Sequence, residues 1–193
     1  YGAIEDNVAV NSTWWGSAAE SGIMVGQAAH VDTLDAVKMK ISRNFVHGNI
    51  NKIPFFGEPY ESINATALEA GSHGAEGREN YGTSAQEYII DGHGVHVTRN
   101  AESYQYGRFE VSDNVAYENG INGLSVHHTD RVLVRGNRVY SNGQTPKGSP
   151  SSRPHQAGFV IAHSLDVTMV DNQVTTGPLV RGRAALRALM RSR

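Results

Sequence analysis

Histidine is the residue type in this chain whose spacing most suggests chemistry. Five of the nine histidines gather around short apolar segments that follow a glycine: His93, His96, His127, His128 and His163. Imidazole exchanges protons near neutral pH, so histidines that share one surface can supply a general base or a general acid. The same side chains on neighbouring strands could instead share a zinc ion, although the sequence offers no clear third ligand. Packing on a half-exposed strand is the structural alternative for each of them.

The segments that carry these histidines have the pattern of β-strands. Their apolar residues alternate at period two, as in residues 22–25, 94–97, 123–126 and 158–161. This register points Val95 and Val97 inward and leaves His96 and His127 outward, at diagonal positions of neighbouring strands. Arg99, His128 and His163 then occupy the position that follows each strand.

A repeated pattern of asparagine and valine indicates how these strands are arranged. Its copies lie at residues 6–11, 43–49, 113–119, 136–142 and, in a weaker form, 171–177. Asn114 and Asn137 are 23 residues apart, and three short strands fit within one such interval. A recurrence of this length is typical of a solenoid. We expect an all-β fold, a single-stranded right-handed parallel β-helix of about four to five rungs, with loop insertions and a short C-terminal helix.

The repeat also predicts structural roles for several polar residues. The first asparagines of the copies fall on equivalent corners, where asparagine tolerates left-handed backbone geometry and bonds nearby backbone. Stacked on successive strands, such amides can bond one another as a ladder; the residues concerned are Asn44, Asn114, Asn137 and Asn172. Tyr117 and Tyr140 occupy matching positions and are expected to stack outside the core.

The chain divides into a repetitive body and a basic tail. We expect residues 1–177 to form the β-helix, as part of a longer solenoid, and residues 178–193 to form a basic tail or a capping helix. The tail holds five arginines and no acidic residue, so the body is acidic although the net charge is only −2. An acidic body lacks the basic face that nucleic acid requires. No apolar run is long enough to cross a membrane, and the chain has no cysteine for disulfides or thiolate metal sites.

Two insertions in the repeat predict where a ligand would bind. One lies between Asn49 and Gly94, and the other lies between Asn142 and Gly158. Both leave the coil at the same corner, so they predict two loop walls around the histidine-bearing strands. Long loops on a rigid solenoid commonly carry binding or catalysis.

Further polar side chains lie near this predicted trough. Asp91 is the carboxylate closest in sequence to the histidines, although Asp-Gly is also a common turn pair. Tyr104 and Arg108 enter the neighbouring corner of the coil. Arg108 could pair with a substrate carboxylate, or equally with Glu110 or Asp166 of the protein itself.

These features together resemble the right-handed parallel β-helix proteins of the pectate-lyase-like superfamily. The resemblance covers residues 1–177 and is carried by the Asn-x-Val-x-x-Asn repeats, the Gly-x-x-Val strands, and residues 51–55 followed by residues 90–95. It implies a secreted or cell-surface protein that acts on or binds a polysaccharide, with a Ca²⁺ ion possible. The superfamily chiefly contains polysaccharide lyases, glycoside hydrolases and uronate epimerases, and it also contains adhesive proteins without such chemistry.

The function expected from the residues and the resemblance is that of a polysaccharide lyase, which cleaves a uronic-acid polymer by β-elimination. The catalytic candidates are His96, His127, Arg108 and Tyr104. The substrate-binding candidates are His93, Asp91, Arg99, His128 and Trp14. No metal ligand is assigned, and no cofactor is evident from the residues alone. The alternatives are a glycoside hydrolase using Asp91 and Glu87, a uronate epimerase, and a carbohydrate-binding or adhesive protein without catalysis.

Overall fold

The computed structural model describes residues 1–13, 21–29, 32–51, 92–101, 106–144 and 157–175, and the backbone of residues 55–56 and 87–88. Within these ranges the chain is all-β and contains no helix. It follows that none of the described segments is a helix capable of spanning a membrane. Both insertions lie largely outside the described residues, and the tail at 178–193 lies wholly outside them.

Sixteen strands make up the described chain. In chain order they are β1 Gly2–Glu5, β2 Val8–Val10, β3 Ser21–Gly26, β4 Val37–Ser42, β5 Phe45–His47, β6 Phe55–Phe56, β7 Glu87–Tyr88, β8 His93–Thr98, β9 Arg108–Ser112, β10 Val115–Tyr117, β11 Asn122–His127, β12 Val132–Arg135, β13 Arg138–Tyr140, β14 Ala157–Ala162, β15 Val167–Val170 and β16 Gln173–Thr175.

The strands form three parallel sheets, and neighbouring strands of a sheet come from successive repeats, five in sheets 1 and 2 and four in sheet 3. Sheet 1 has the order β1-β4-β9-β12-β15, sheet 2 the order β2-β5-β10-β13-β16, and sheet 3 the order β3-β8-β11-β14. All pairings within these sheets are parallel. The short strands β6 and β7 form a separate antiparallel pair. The period-two pattern of the sequence therefore predicted the four strands of sheet 3 correctly.

One hydrophobic core is shared by the three parallel sheets. Sheet 1 contributes Phe109 and Val134, sheet 2 contributes Val46 and Val139, and sheet 3 contributes residues from all four of its strands. Most of these side chains are fully buried. Because apolar side chains from three sheets meet in one cluster, the outer faces of the sheets are left for polar and functional residues.

The predicted asparagine ladder is present. The side-chain amide of each member donates to the side-chain oxygen of the next at 2.9–3.0 Å, in the order Asn7, Asn44, Asn114, Asn137 and Asn172. The same oxygens also accept backbone N–H groups at 3.0 Å. A second ladder of the same kind, which was not predicted, runs through Asn49, Asn119 and Asn142.

The left-handed backbone at these corners belongs to the residue before each ladder asparagine. Asp6, Arg43, Asp113, Gly136 and Asp171 have positive φ there. The sequence interpretation that the asparagines themselves take this geometry was therefore wrong. The preceding residue makes the turn, and the asparagine is left free to place its amide in the ladder.

The predicted tyrosine pair is also present on sheet 2. The rings of Tyr117 and Tyr140 are stacked, with centroids 4.9 Å apart and an interplanar angle of 9°. His47 continues the stack on Tyr117 at 4.0 Å and 13°. These rings lie in register on neighbouring strands, so their role is explained by cross-strand packing.

Candidate functional site

The four strands of sheet 3 end in the same turn, and this turn carries the candidate site. Gln27, Arg99, His128 and His163 each follow the last paired residue of their strand. All four have a positive φ, between 45° and 55°. Parallel neighbours lie about 4.8 Å apart, so a turn repeated on successive strands aligns these side chains in a column.

A second column of polar side chains, one residue further along, fixes this turn. The backbone N–H of Ala28 donates to Oδ1 of Asn100 at 2.8 Å, and Nδ2 of Asn100 donates to Oγ1 of Thr129 at 3.1 Å. The backbone N–H of Thr129 donates in turn to Oγ of Ser164 at 3.1 Å. Asn100 and Thr129 are fully buried, so the turn rests on a satisfied polar network rather than on loop packing alone.

Three histidines meet on this turn, and we call His127, His128 and His163 the histidine cluster. Each offers a ring nitrogen, and these three nitrogens all lie within 4.8 Å of one another. The rings of His128 and His163 are stacked, with centroids 4.6 Å apart and an interplanar angle of 5°. The ring of His127 stands edge-on to both, at 4.2 Å and 5.4 Å.

Exposure differs strongly within the cluster. His128 is buried, His127 is half-buried and His163 is exposed. Nδ1 of His127 lies 3.5 Å from Oγ1 of Thr98 on the neighbouring strand. The cluster is therefore anchored in the protein on the side of His128 and reaches solvent on the side of His163.

A second pair of histidines lies on the same sheet and is buried. The rings of His93 and His96 are 4.3 Å apart, and both residues are less than one-tenth exposed. Nδ2 of Asn122 donates to Nδ1 of His93 at 3.1 Å, whereas Nδ1 of His96 has no hydrogen-bond partner among the described residues. The unpaired nitrogen of His96 therefore lowers the stability of the fold, and the packing of the surrounding side chains must compensate for that loss.

Burial sets the protonation of this pair. It lowers the pKa of His93 to about 4. It also holds the pKa of His96 well below its ordinary value, and electrostatic repulsion between the charged form of His96 and those of His93, His127 and Arg99 acts in the same direction. Both imidazoles are neutral at pH 7, because a buried site disfavours the charged form.

The two candidate arginines occupy different surroundings. Arg99 is exposed in the column of the candidate turn, and it is near enough to His96 for its charge to lower the pKa of that imidazole. Nη1 of Arg108 donates to Oδ2 of Asp166 at 3.2 Å, and its Nε lies 3.6 Å from Oδ1 of Asp35. In the structure Arg108 forms the ion pair with Asp166 that the sequence offered as one alternative to pairing with a substrate carboxylate.

The register predicted for sheet 3 is confirmed. His96 pairs with Ser125 and His127 pairs with Thr98, so the two histidines are diagonal neighbours on adjacent strands. The residues predicted to point inward on β8 and β11 are fully buried. The residues predicted to point outward on β8 and β11 differ in solvent exposure. His96 and Ser125 are buried, whereas His127 is half-buried.

The His127-His128 dipeptide brings two imidazoles to the cluster from consecutive positions of the chain. Consecutive side chains of an extended strand point to opposite faces. The left-handed backbone at His128, with φ of 45°, ends that alternation, and the side chains of both residues reach His163. A His-His pair at the end of a strand, followed by turn residues, is the sequence signal for this arrangement.

The other predicted site residues, Trp14, Asp91 and Tyr104, lie outside the described residues. The structure therefore brings together Arg99 and the histidine cluster, places His93 and His96 beneath the surface of the same sheet, and leaves Arg108 in ion pairs at the start of β9. Comparisons of the chain with protein-family models, with curated proteins and with solved structures found no match.

Proposed function

We propose that this protein is an extracellular polysaccharide lyase that cleaves a uronic-acid polymer by β-elimination at the turn formed by Arg99 and the histidine cluster. The observation that carries the proposal is the presence of an exposed guanidinium and a half-buried imidazole at one turn of adjacent strands. β-Elimination beside a carboxylate requires a cation and a proton acceptor in one place.

We further propose that the repeats wind as a right-handed parallel β-helix like those of the pectate-lyase-like superfamily. In each of the three parallel sheets neighbouring strands come from successive repeats, and all three sheets contribute to the same core. The asparagine ladders at two corners support the same winding. In such a fold the candidate turn runs along one long edge, which suits an extended polymer.

The roles follow from the surroundings of each side chain. The guanidinium of Arg99 pairs with the uronate carboxylate and makes the proton on C5 more acidic. His127 accepts that proton, because it is more accessible than His96. The C5–H bond breaks, a double bond forms between C4 and C5, and the bond from C4 to the bridging oxygen breaks as that oxygen takes a proton. Tyr104 remains the candidate for this last proton transfer.

The test is an elimination assay on purified protein with alginate, pectate and glycosaminoglycans as separate substrates, run after dialysis against a chelator, both without and with Ca²⁺ restored. The unsaturated product absorbs in the ultraviolet, so an absorbance rise reports the reaction directly. We expect His127→Gln to reduce the rate by about 10²- to 10⁴-fold, which is the rate enhancement that a general base typically contributes. We expect Arg99→Gln to reduce it by about 10²- to 10³-fold, as for the loss of one stabilising charge.

Arg138→Gln is the matched control, since Arg138 is an exposed arginine on sheet 2 and should leave the rate unchanged. Polymer binding without an absorbance rise would contradict the lyase and leave a carbohydrate-binding protein. Exchange of the C5 proton with solvent deuterium, without chain cleavage, would indicate an epimerase instead. New reducing ends without absorbance would indicate a hydrolase.

A further inference from the structure

We propose that His127, His128 and His163 form a binding site for a divalent transition-metal ion of the zinc class. The three ring nitrogens come from two neighbouring strands and lie within 4.8 Å of one another. Three imidazoles on one side of an ion leave its fourth position open to water or to a ligand, which is the arrangement of catalytic rather than structural zinc sites.

The site needs only a small adjustment to close on an ion. Zinc binds imidazole nitrogen at about 2.0–2.1 Å, so tetrahedral ligand nitrogens lie about 3.4 Å apart. Since the cluster nitrogens lie within 4.8 Å of one another, the widest pair must approach by at most roughly 1.4 Å, a distance that rotation of the side chains supplies. His163 is exposed, and its ring can turn from the stack on His128 toward the ion without disturbing the core.

The backbone beneath the ligands is already fixed. The N–H of His128 donates to the carbonyl of Ala162 at 3.1 Å, and the carbonyl of His128 accepts from Asn100 at 2.8 Å. Thr129 and Ser164 hold the following residues through the polar column. A site whose ligands sit on hydrogen-bonded strand ends loses little entropy when it binds the ion.

The ligand set selects the class of ion. Imidazole suits zinc, copper, nickel and iron, whereas calcium and magnesium prefer oxygen ligands. The ligand group consists of histidines alone, so this site favours Zn²⁺ over Ca²⁺. The positive charge of Arg99 in the same column opposes the ion, but its side chain is exposed, and solvent screens that repulsion.

Metal binding and elimination would compete for His127. An imidazole nitrogen that ligates an ion has no lone pair for a substrate proton, so a bound ion would block the acceptor role proposed for His127. The metal site does not depend on that proposed function, because the ligands can hold an ion whether or not the protein cleaves a polymer. Binding is therefore measured without polysaccharide.

The test is isothermal titration of the chelator-dialysed protein with ZnCl₂ near neutral pH, together with Co²⁺ absorption as a report of ligand geometry. We expect one ion per chain and a tetrahedral Co²⁺ spectrum. Loss of an outer-shell partner of a metal-bound histidine typically costs about 10- to 100-fold in affinity, so loss of a ligand should cost at least as much. His163→Gln and His128→Asn are therefore each expected to weaken Zn²⁺ binding about 10-fold or more.

His163→Gln changes an exposed side chain, and His128→Asn keeps a residue type that tolerates positive φ, so neither should prevent folding. Circular dichroism checks this. His47→Gln is the control, because His47 lies on sheet 2 away from the cluster and should leave the affinity unchanged. Absence of stoichiometric Zn²⁺ binding, or equal affinity in wild type and both cluster variants, would overturn the site.

Discussion

At the scale of single residues, the histidines of sheet 3 lie in two different environments. His93 and His96 lie beneath the surface, and burial keeps them neutral at pH 7. His127 and His163 lie one or two strands away and reach solvent to different degrees. His93 and His96 lie within β8, whereas His127 ends β11 and His163 follows β14. The difference arises from the depth at which the fold places each ring.

The buried pair predicts a loss of stability in acid. The pKa of His93 is about 4 in the folded protein and 6.5 in its ordinary state, so the unfolded chain binds more protons between these values. Stability is therefore full above about pH 6.5 and falls as the pH drops toward 4. From pH 7 to pH 5 this one group should cost roughly 2 kcal/mol, and His96 acts in the same direction.

Urea unfolding at pH 7 and at pH 5 measures this effect. His93→Gln retains an acceptor for Asn122 but cannot titrate, so its loss of stability on acidification should be smaller than that of wild type by about that amount. Met24→Leu is the control, because Met24 is the non-titrating register partner of His96 on β3, and it should keep the wild-type dependence. An unchanged dependence in His93→Gln would show that His93 is not the group responsible.

At the scale of elements, the corners of the repeat are held by amide ladders. Asn114 illustrates the arrangement, because its Nδ2 donates to Asn137 and to the carbonyl of Ile41, while its Oδ1 accepts from the backbone and side chain of Asn44. Every one of these bonds is buried, so each polar group depends on its neighbour for a partner. The ladder therefore favours one register of the strands over any slipped alternative.

We predict that Asn114→Asp destabilises the protein by on the order of 3 kcal/mol or more, because a carboxylate can accept but cannot donate to Asn137 and Ile41. Asn7→Asp removes a donor from the exposed end of the same ladder and should cost no more than about 1 kcal/mol. The free energy of unfolding in urea compares the two. Equal losses at both positions would contradict the importance of burial for the ladder.

At the scale of the whole molecule, burial is concentrated in the middle strands. Strands β8, β9 and β11 are buried along most of their length, whereas β2, β15 and β16 are mostly exposed or half-buried. Among the described residues, each outer strand has one neighbour in its sheet, and each middle strand has two. Local opening should therefore begin at the outer strands of the three sheets.

Hydrogen exchange tests this prediction within sheet 2, where β2, β10 and β16 each contain three residues. The amides of Val115–Tyr117 should exchange more slowly than those of Val8–Val10 and Gln173–Thr175, because β10 is flanked on both sides and its central residue is buried. Because strand length and sheet are matched, the comparison isolates the effect of neighbours. Uniform protection across the three strands would mean that the sheet opens as a single unit instead.

The sequence by itself determined the strands, their parallel order and the columns that they form. Period-two alternation, the spacing of the asparagines and the glycine at the second position of each strand of sheet 3 are local or periodic signals, and they recur in successive repeats. The register of His96 and His127 followed from the alternation of inward and outward residues along the strands of sheet 3. These features depend on the local backbone geometry of strands and turns, which the residue type at each position favours.

Only the tertiary structure decided which histidines are buried, which arginine is held in an ion pair and which side chains converge. The ion pairs of Arg108 join residues far apart in sequence. The exposure of a ring depends on the side chains packed around it. The meeting of His127, His128 and His163 depends on the left-handed backbone at His128 and His163, whereas the sequence suggested such geometry at the ladder asparagines. These features depend on which side chains pack together in three dimensions, and the periodicity of the sequence does not encode that packing.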